Sequence, residues 1–165
     1  MSNEEQIANV FLEPARVRVS RMPGVISTVV ASSVAVCLWD RNKSFGGMCH
    51  YLYPEIREMG KTTVKYGNVA FFALVKIMKE FGSCIEDLDA QIFGGAEPLE
   101  SEGAGLTYGP DNVAAAHRVI KKYGFRITSE DTGGHVGRKI AFNVETNEVV
   151  VYKVERMRQT DWHYK

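Results

Sequence analysis

Ser33 and His50 are the two side chains whose types and spacing could do nucleophilic chemistry. Ser33 stands near the head of an apolar run, ASSVAVCLWD at 31–40, and His50 arrives on the next extended segment, FGGMCHYLYP at 45–54. The link between them, RNKS at 41–44, is polar and turn-forming, as a hairpin connection requires. If Asp40 and Phe45 flank that turn, His50 lies opposite Ala35 and two positions along from Ser33 on the same face. Such diagonal neighbours are about 7–8 Å apart at Cα, close enough for an imidazole to reach a hydroxyl. Slipping the register by two residues would set them directly opposite, and slipping it by one would put them on different faces. A hydroxyl beside an imidazole can be activated for attack on an acyl carbon. The plainer alternative is a structural histidine bonded to a backbone carbonyl.

The elements that must position this pair are legible as patterns. RVRVSR, PGVISTVVASSVAVCLWD and FGGMCHYLYP read as β-branched strands, making the first third a small sheet. VAFFALVKIMKEFG at 69–82 spaces Ala70, Leu74, Ile77, Met78 and Phe81 by three and four residues and ends on Gly82, which predicts an amphipathic helix. LDAQIFGGA at 88–96 reads as a buried strand closing on a glycine pair, and PLESEGAGLTYG as a loop. A second helix is expected from Pro110 to Tyr123, with Pro at its start, Gly124 after its end, and Val113, Ala116, Val119 and Ile120 along one face. FRITSED, RKIAFNVE and EVVVYKV predict three more strands, the last two joined at ETNE, and ERMRQTDWHYK reads as an irregular tail. Helices only in the middle of the chain predict one layered α/β sandwich of mixed, largely antiparallel strands, with its core at about 16–155 and the tail at 156–165.

Composition narrows the function classes. A chain of 165 residues, 45% hydrophobic, can bury one good core and is short for two domains. Twenty basic against twenty acidic side chains give no electrostatic reason to expect nucleic acid or an anionic membrane. No apolar run approaches the roughly 18–20 residues that span a bilayer, and a soluble, cytoplasmic protein is expected. Cys37, Cys49 and Cys84 are odd in number and lack CxxC spacing, so reduced thiols are expected, the first two as small core residues. His117 and His163 have no neighbours at ligand spacing, and no metal or cofactor is expected. GGHVGRK at 133–139 lacks phosphate-loop spacing, and Gly94 and Gly95 read as a place of close backbone approach.

Five blocks carry a resemblance: PGVISTVVASSVAVCLWD, GGMCHYLYP, IFGGAEP, YGPDNV and EDTGGHVGRKIAFNVETNEVVVYKV. In this order and at these separations they resemble the chemoreceptor glutamine deamidase family, CheD. The resemblance implies an α/β sandwich similar to the catalytic domain of deamidating necrotizing toxins. It also implies conversion of glutamine side chains on methyl-accepting chemotaxis receptors to glutamate through an acyl-enzyme, without a cofactor. Receptors are the implied partners, together with the phosphatase CheC that many members bind. In that family the hairpin reads Gly-Ser-Cys-Val-Ala-Val-Cys, and its first cysteine is the nucleophile. Carried over, the nucleophile falls on Ser33, the histidine on His50, and a threonine on Thr28, with Ser27 the other candidate one residue away.

Ala31-Ser32-Ser33 therefore stands where Gly-Ser-Cys is expected, and the thiol is missing. Three origins fit: an engineered replacement, natural loss of the thiol, or a working serine. A thiolate forms readily beside an imidazole, whereas a serine must lose its proton during attack. Impaired deamidation is expected, and the alternative function is a silent adaptor that binds receptors or a CheC-type phosphatase.

Overall fold

The structure is a computed structural model and describes residues 8–58, 60, 63–99 and 108–155. The expected tail with His163, and most of the PLESEGAGLTYG loop, lie outside the described residues.

Among the described residues nine strands form two sheets. The five-stranded sheet runs β2(Arg16–Ser20), β5(Phe45–Tyr51), β4(Val34–Asp40), β6(Leu88–Gly94), β7(Arg126–Thr132). The four-stranded sheet runs β1(Ala8–Phe11), β3(Gly24–Val30), β8(Gly137–Asn143), β9(Val149–Val154). Pairing is antiparallel except for β1 with β3 and β6 with β7. Two helices, α1(Gly67–Glu80) and α2(Gly109–Tyr123), complete the mixed α/β fold. α2 carries Pro in its first turn and closes on Gly124, whose φ of 75° takes the left-handed cap that glycine allows.

Two cores follow from alternation along the strands. Val34, Val36, Leu38, Cys49, Tyr51 and Ile92 face the helices, packing on Ala70, Phe71, Leu74, Met78, Ala116 and Ile120. Ala35, Cys37, Met48 and Phe93 face the other way, onto Ile26, Val30, Ile140 and Phe142 of the four-stranded sheet. The layers are thus helices, five-stranded sheet, four-stranded sheet. β4 is central and covered on both faces, which explains why its sequence is a continuous apolar run rather than an alternating one. Cys37 and Cys49 lie in opposite cores as small buried side chains.

One expectation needs correcting. PGVISTVVASSVAVCLWD is not a single strand, and the first third is not one sheet: the chain bends at 31–33, and β3 and β4 enter different sheets. Hydropathy cannot show the break because Val29, Val30 and Val34 are all buried on either side of it. β1 was not evident either, being four residues in a polar segment.

Candidate functional site

The hairpin of β4 and β5 has Asp40 opposite Phe45 and Ala35 opposite His50, the register the turn residues predict. His50 shares its strand face with Met48, so its ring enters the layer between the two sheets. There it meets Thr28, which alternates with Ile26 and Val30 on the inner face of β3. Ser33 lies not on β4 but in the bend that carries the chain from one sheet to the other. That bend lets the hydroxyl reach the histidine without the strand geometry that the sequence alone suggests.

A linear chain of hydrogen bonds results. Ser33 Oγ lies 2.7 Å from His50 Nε2, His50 Nδ1 lies 2.8 Å from Thr28 Oγ1, and Thr28 Oγ1 donates to the Leu12 carbonyl at 2.7 Å. The protons can be assigned by elimination. A carbonyl only accepts, so the single Thr28 proton goes to Leu12 and Thr28 Oγ1 must accept from His50 Nδ1–H. Nε2 then carries a lone pair that can take the Ser33 proton. His50 is fully buried, and burial pulls it down to about 4, so it is a neutral imidazole at neutral pH. Ser27, the other candidate threonine position, stands opposite Phe11 and Ala141 on β3, and its carbonyl accepts Leu12 N–H at 2.7 Å.

The bend is pinned through its carbonyls. Ala31 O accepts from Ala96 N at 2.8 Å, Ser33 O from Gly95 N at 3.0 Å, and Ser32 O from Asn112 Nδ2 at 2.9 Å. Gly94 makes this approach possible, since a Cβ there would stand 2.2 Å from Ser33 O. Asn112 also reaches Leu52 O at 2.9 Å, while its own Oδ1 is buried without a partner among the described residues. Leaving a buried acceptor unpaired costs about 1–3 kcal/mol, so the two carbonyls dictate the orientation of this carboxamide. Asn112 went unnoticed in the sequence, although a polar residue at 112 in a buried stripe with Ala116 and Ile120 is a readable signal.

Ser33 is 7% exposed and opens into a cleft of about 240 Å³ lined by Pro14, Ala31, Ser32, Leu52, Tyr53 and Tyr108. Tyr53 and Tyr108 meet edge to face at 5.1 Å to form its aromatic wall. A larger cleft of about 380 Å³ lies across Gly95, against α2 and Gly133, and does not include Ser33. Its His117 is held by Glu130 at 2.7 Å. Among the described residues no group of His, Cys, Asp and Glu could hold a metal ion, and no helix is long and apolar enough to cross a membrane.

Comparison with known proteins adds an independent line. The family model CheD, described as CheD chemotactic sensory transduction, matches residues 53–153. The chain is similar to the "Probable chemoreceptor glutamine deamidase CheD" of Sulfurimonas denitrificans, at 34% identity over 88% of this chain and 94% of that protein. It is similar to the "Chemoreceptor glutamine deamidase CheD" of Thermotoga maritima, at 37% identity over 82% of this chain and 86% of that protein. The corresponding protein of Thermococcus kodakarensis is 37% identical over 82% of this chain and 87% of its own length. With a family match over more than half its length and relatives that it covers nearly end to end, the chain belongs to the CheD family.

Proposed function

We propose that this protein is a glutamine deamidase of methyl-accepting chemotaxis receptors in which Ser33 occupies the nucleophile position and lowers the activity. The hydrogen-bonded line from Ser33 through His50 to Thr28, at the mouth of a small cleft, carries this reading, and the relatives' names supply the reaction.

In the reaction, His50 Nε2 takes the proton of the nucleophile, which attacks the carboxamide carbon of a glutamine. The oxyanion of the tetrahedral intermediate needs donors. Across a trans peptide the N–H points opposite the preceding C=O, and the carbonyls of Ala31 and Ser32 are turned inward. The amides of Ser32 and Ser33 are therefore the donors we assign to it, each such donor being worth about 2.7–4 kcal/mol in comparable sites. His50 returns its proton to the leaving nitrogen, which departs as ammonia. Water, deprotonated by His50, then attacks the acyl-enzyme and releases glutamate.

The third member of the line argues for a thiol. Thr28 offers a neutral oxygen, which orients the imidazole but does little to stabilise an imidazolium. Serine triads place a carboxylate there, whereas a neutral amide serves in cysteine enzymes. A buried imidazole held near 4 is a weak base for a serine hydroxyl. A thiol can instead form an ion pair with it before attack.

Glutamine-to-glutamate conversion in receptor cytoplasmic fragments, followed by mass spectrometry, tests this. The protein with Ser33 is expected to turn over little, and Ser33→Cys to gain activity that His50→Ala abolishes. Ala31→Gly added to Ser33→Cys is expected to raise it further, because the Ala31 methyl lines the cleft. Turnover by the Ser33 protein equal to that of the cysteine variant, and lost in Ser33→Ala, would make it a working serine deamidase. The second reading, a silent adaptor, is favoured by Ser33 itself: it requires tight binding of receptor fragments or a CheC-type phosphatase and an inactive Ser33→Cys.

A further inference from the structure

We propose that Asn112 is a positioning residue, whose carboxamide ties the Ser33 bend to the end of the strand that carries His50. The catalytic meaning of this tie rests on the deamidase reading; the tie itself does not. The β4–β5 ladder ends with Val34 opposite Tyr51, so Ser32 and Leu52 lie beyond the last strand pair. The bend lies before β4, and Leu52 follows β5, two residues beyond His50. Asn112 Nδ2 spans them, donating to Ser32 O and Leu52 O, each at 2.9 Å. An NH₂ group has two protons, and this one spends both on the two segments.

Asn112 is itself fixed from behind. The Tyr51 hydroxyl donates to the Asn112 carbonyl, Asn112 N–H donates to Tyr108 O at 2.7 Å, and the residue is 0% exposed. Tyr51 is the neighbour of His50, so the strand end, the first turn of α2 and the bend form one closed set of contacts. The unpaired Oδ1 fits this role. Rotating the amide to satisfy that oxygen would turn it against two carbonyls, so the side chain is held by its donor end alone. Ser32 and Leu52 also line the cleft, while Asn112 does not; it acts through them and touches no substrate.

Asn112→Asp is the discriminating variant, because it keeps the shape and puts an oxygen against two carbonyls. Such surroundings raise a carboxyl above its ordinary value near 4, and the protonated form can again donate to one carbonyl. In a Ser33→Cys background, the alkylation rate of the introduced thiol is expected to fall on the order of 10- to 100-fold at neutral pH, as for small displacements of reacting groups. Measured against Ser33→Cys at each pH, part of that loss should return on acidification. Turnover of receptor fragments should lose kcat with KM little changed. In the protein with Ser33, protection of the amides at 31–34, measured against the parent at each pH, should fall in Asn112→Asp at neutral pH and return in acid. Asn112→Ala covers a misfolded aspartate variant: it should loosen the same amides with no return in acid. Unchanged exchange and thiol rate in either folded variant overturns the tie, as does equal, pH-independent loss in both. If Ser33→Cys alone has neither a fast thiol nor activity, the deamidase reading falls, and exchange at 31–34 decides the tie by itself.

Discussion

His50 is buried as a neutral ring between two neutral hydroxyls, and this has a consequence for stability. Its folded value, near 4, lies below the ordinary 6.5, so the unfolded chain binds a proton that the folded chain resists. The contribution to stability is complete above about 6.5 and is lost as pH falls from there to about 4, by up to on the order of 3 kcal/mol. Urea midpoints measured across this window for the parent and His50→Gln should give a difference that shrinks as the pH falls. A constant difference would mean that the ring is protonated in the fold. Of the residues at this scale, the contact between Ser33 and His50 was legible by residue type, a hydroxyl and an imidazole beside a run of valines and alanines, although the bend and not a shared strand face brings them together. Thr28 came through family resemblance only: threonine is at home on a strand, so its chemistry hides within its propensity. The Leu12 carbonyl that settles the tautomer is backbone, which no residue type announces.

At the scale of elements, the hairpin is the part that sequence specified best. A polar four-residue link between two buried runs fixes Ala35 opposite His50, and a slip would turn one core outward. The bend at 31–33 was illegible because its flanks are equally apolar and go into adjacent interior layers. What secures it is the glycine turn after β6, where Gly94 at φ 115° and Gly95 at φ 71° bring the chain under Ser33. Gly94→Ala should be costly twice, through the strained backbone, about 1–3 kcal/mol, and through a Cβ set 2.2 Å from Ser33 O. Gly134, at φ 69° with nothing within 4 Å of its Cβ position, supplies the control. Gly134→Ala should show the backbone cost alone in denaturant titrations. Only Gly94→Ala should also slow the thiol of a Ser33→Cys background, and equal effects of the two would remove the close approach as a determinant of the site.

At the scale of the molecule, the line of three side chains crosses the layers: Thr28 belongs to the four-stranded sheet, His50 to the five-stranded sheet, and Ser33 to the chain that joins them. No strand pairing sets the Thr28–His50 distance. The packing between the sheets does, through Ile26, Val30, Ala35, Met48, Phe93 and Ile140. The helix layer lies on the far face and supports the hairpin without touching this gap. This separates two kinds of destabilisation that a stability measurement alone would confuse. Ile140 stands directly across β8 from Thr28 and is 2% exposed; Leu74 is fully buried under α1 in the other core. Truncating either to alanine should cost about 2–5 kcal/mol, the usual range for an emptied core position. In a Ser33→Cys background, well below the unfolding transition, Ile140→Ala should slow His50-dependent alkylation of the introduced thiol far more than Leu74→Ala, since only the former lets Thr28 retreat from the imidazole. Comparable slowing by both, at comparable loss of stability, would show that the site follows global stability and that the inter-sheet packing has no particular hold on it.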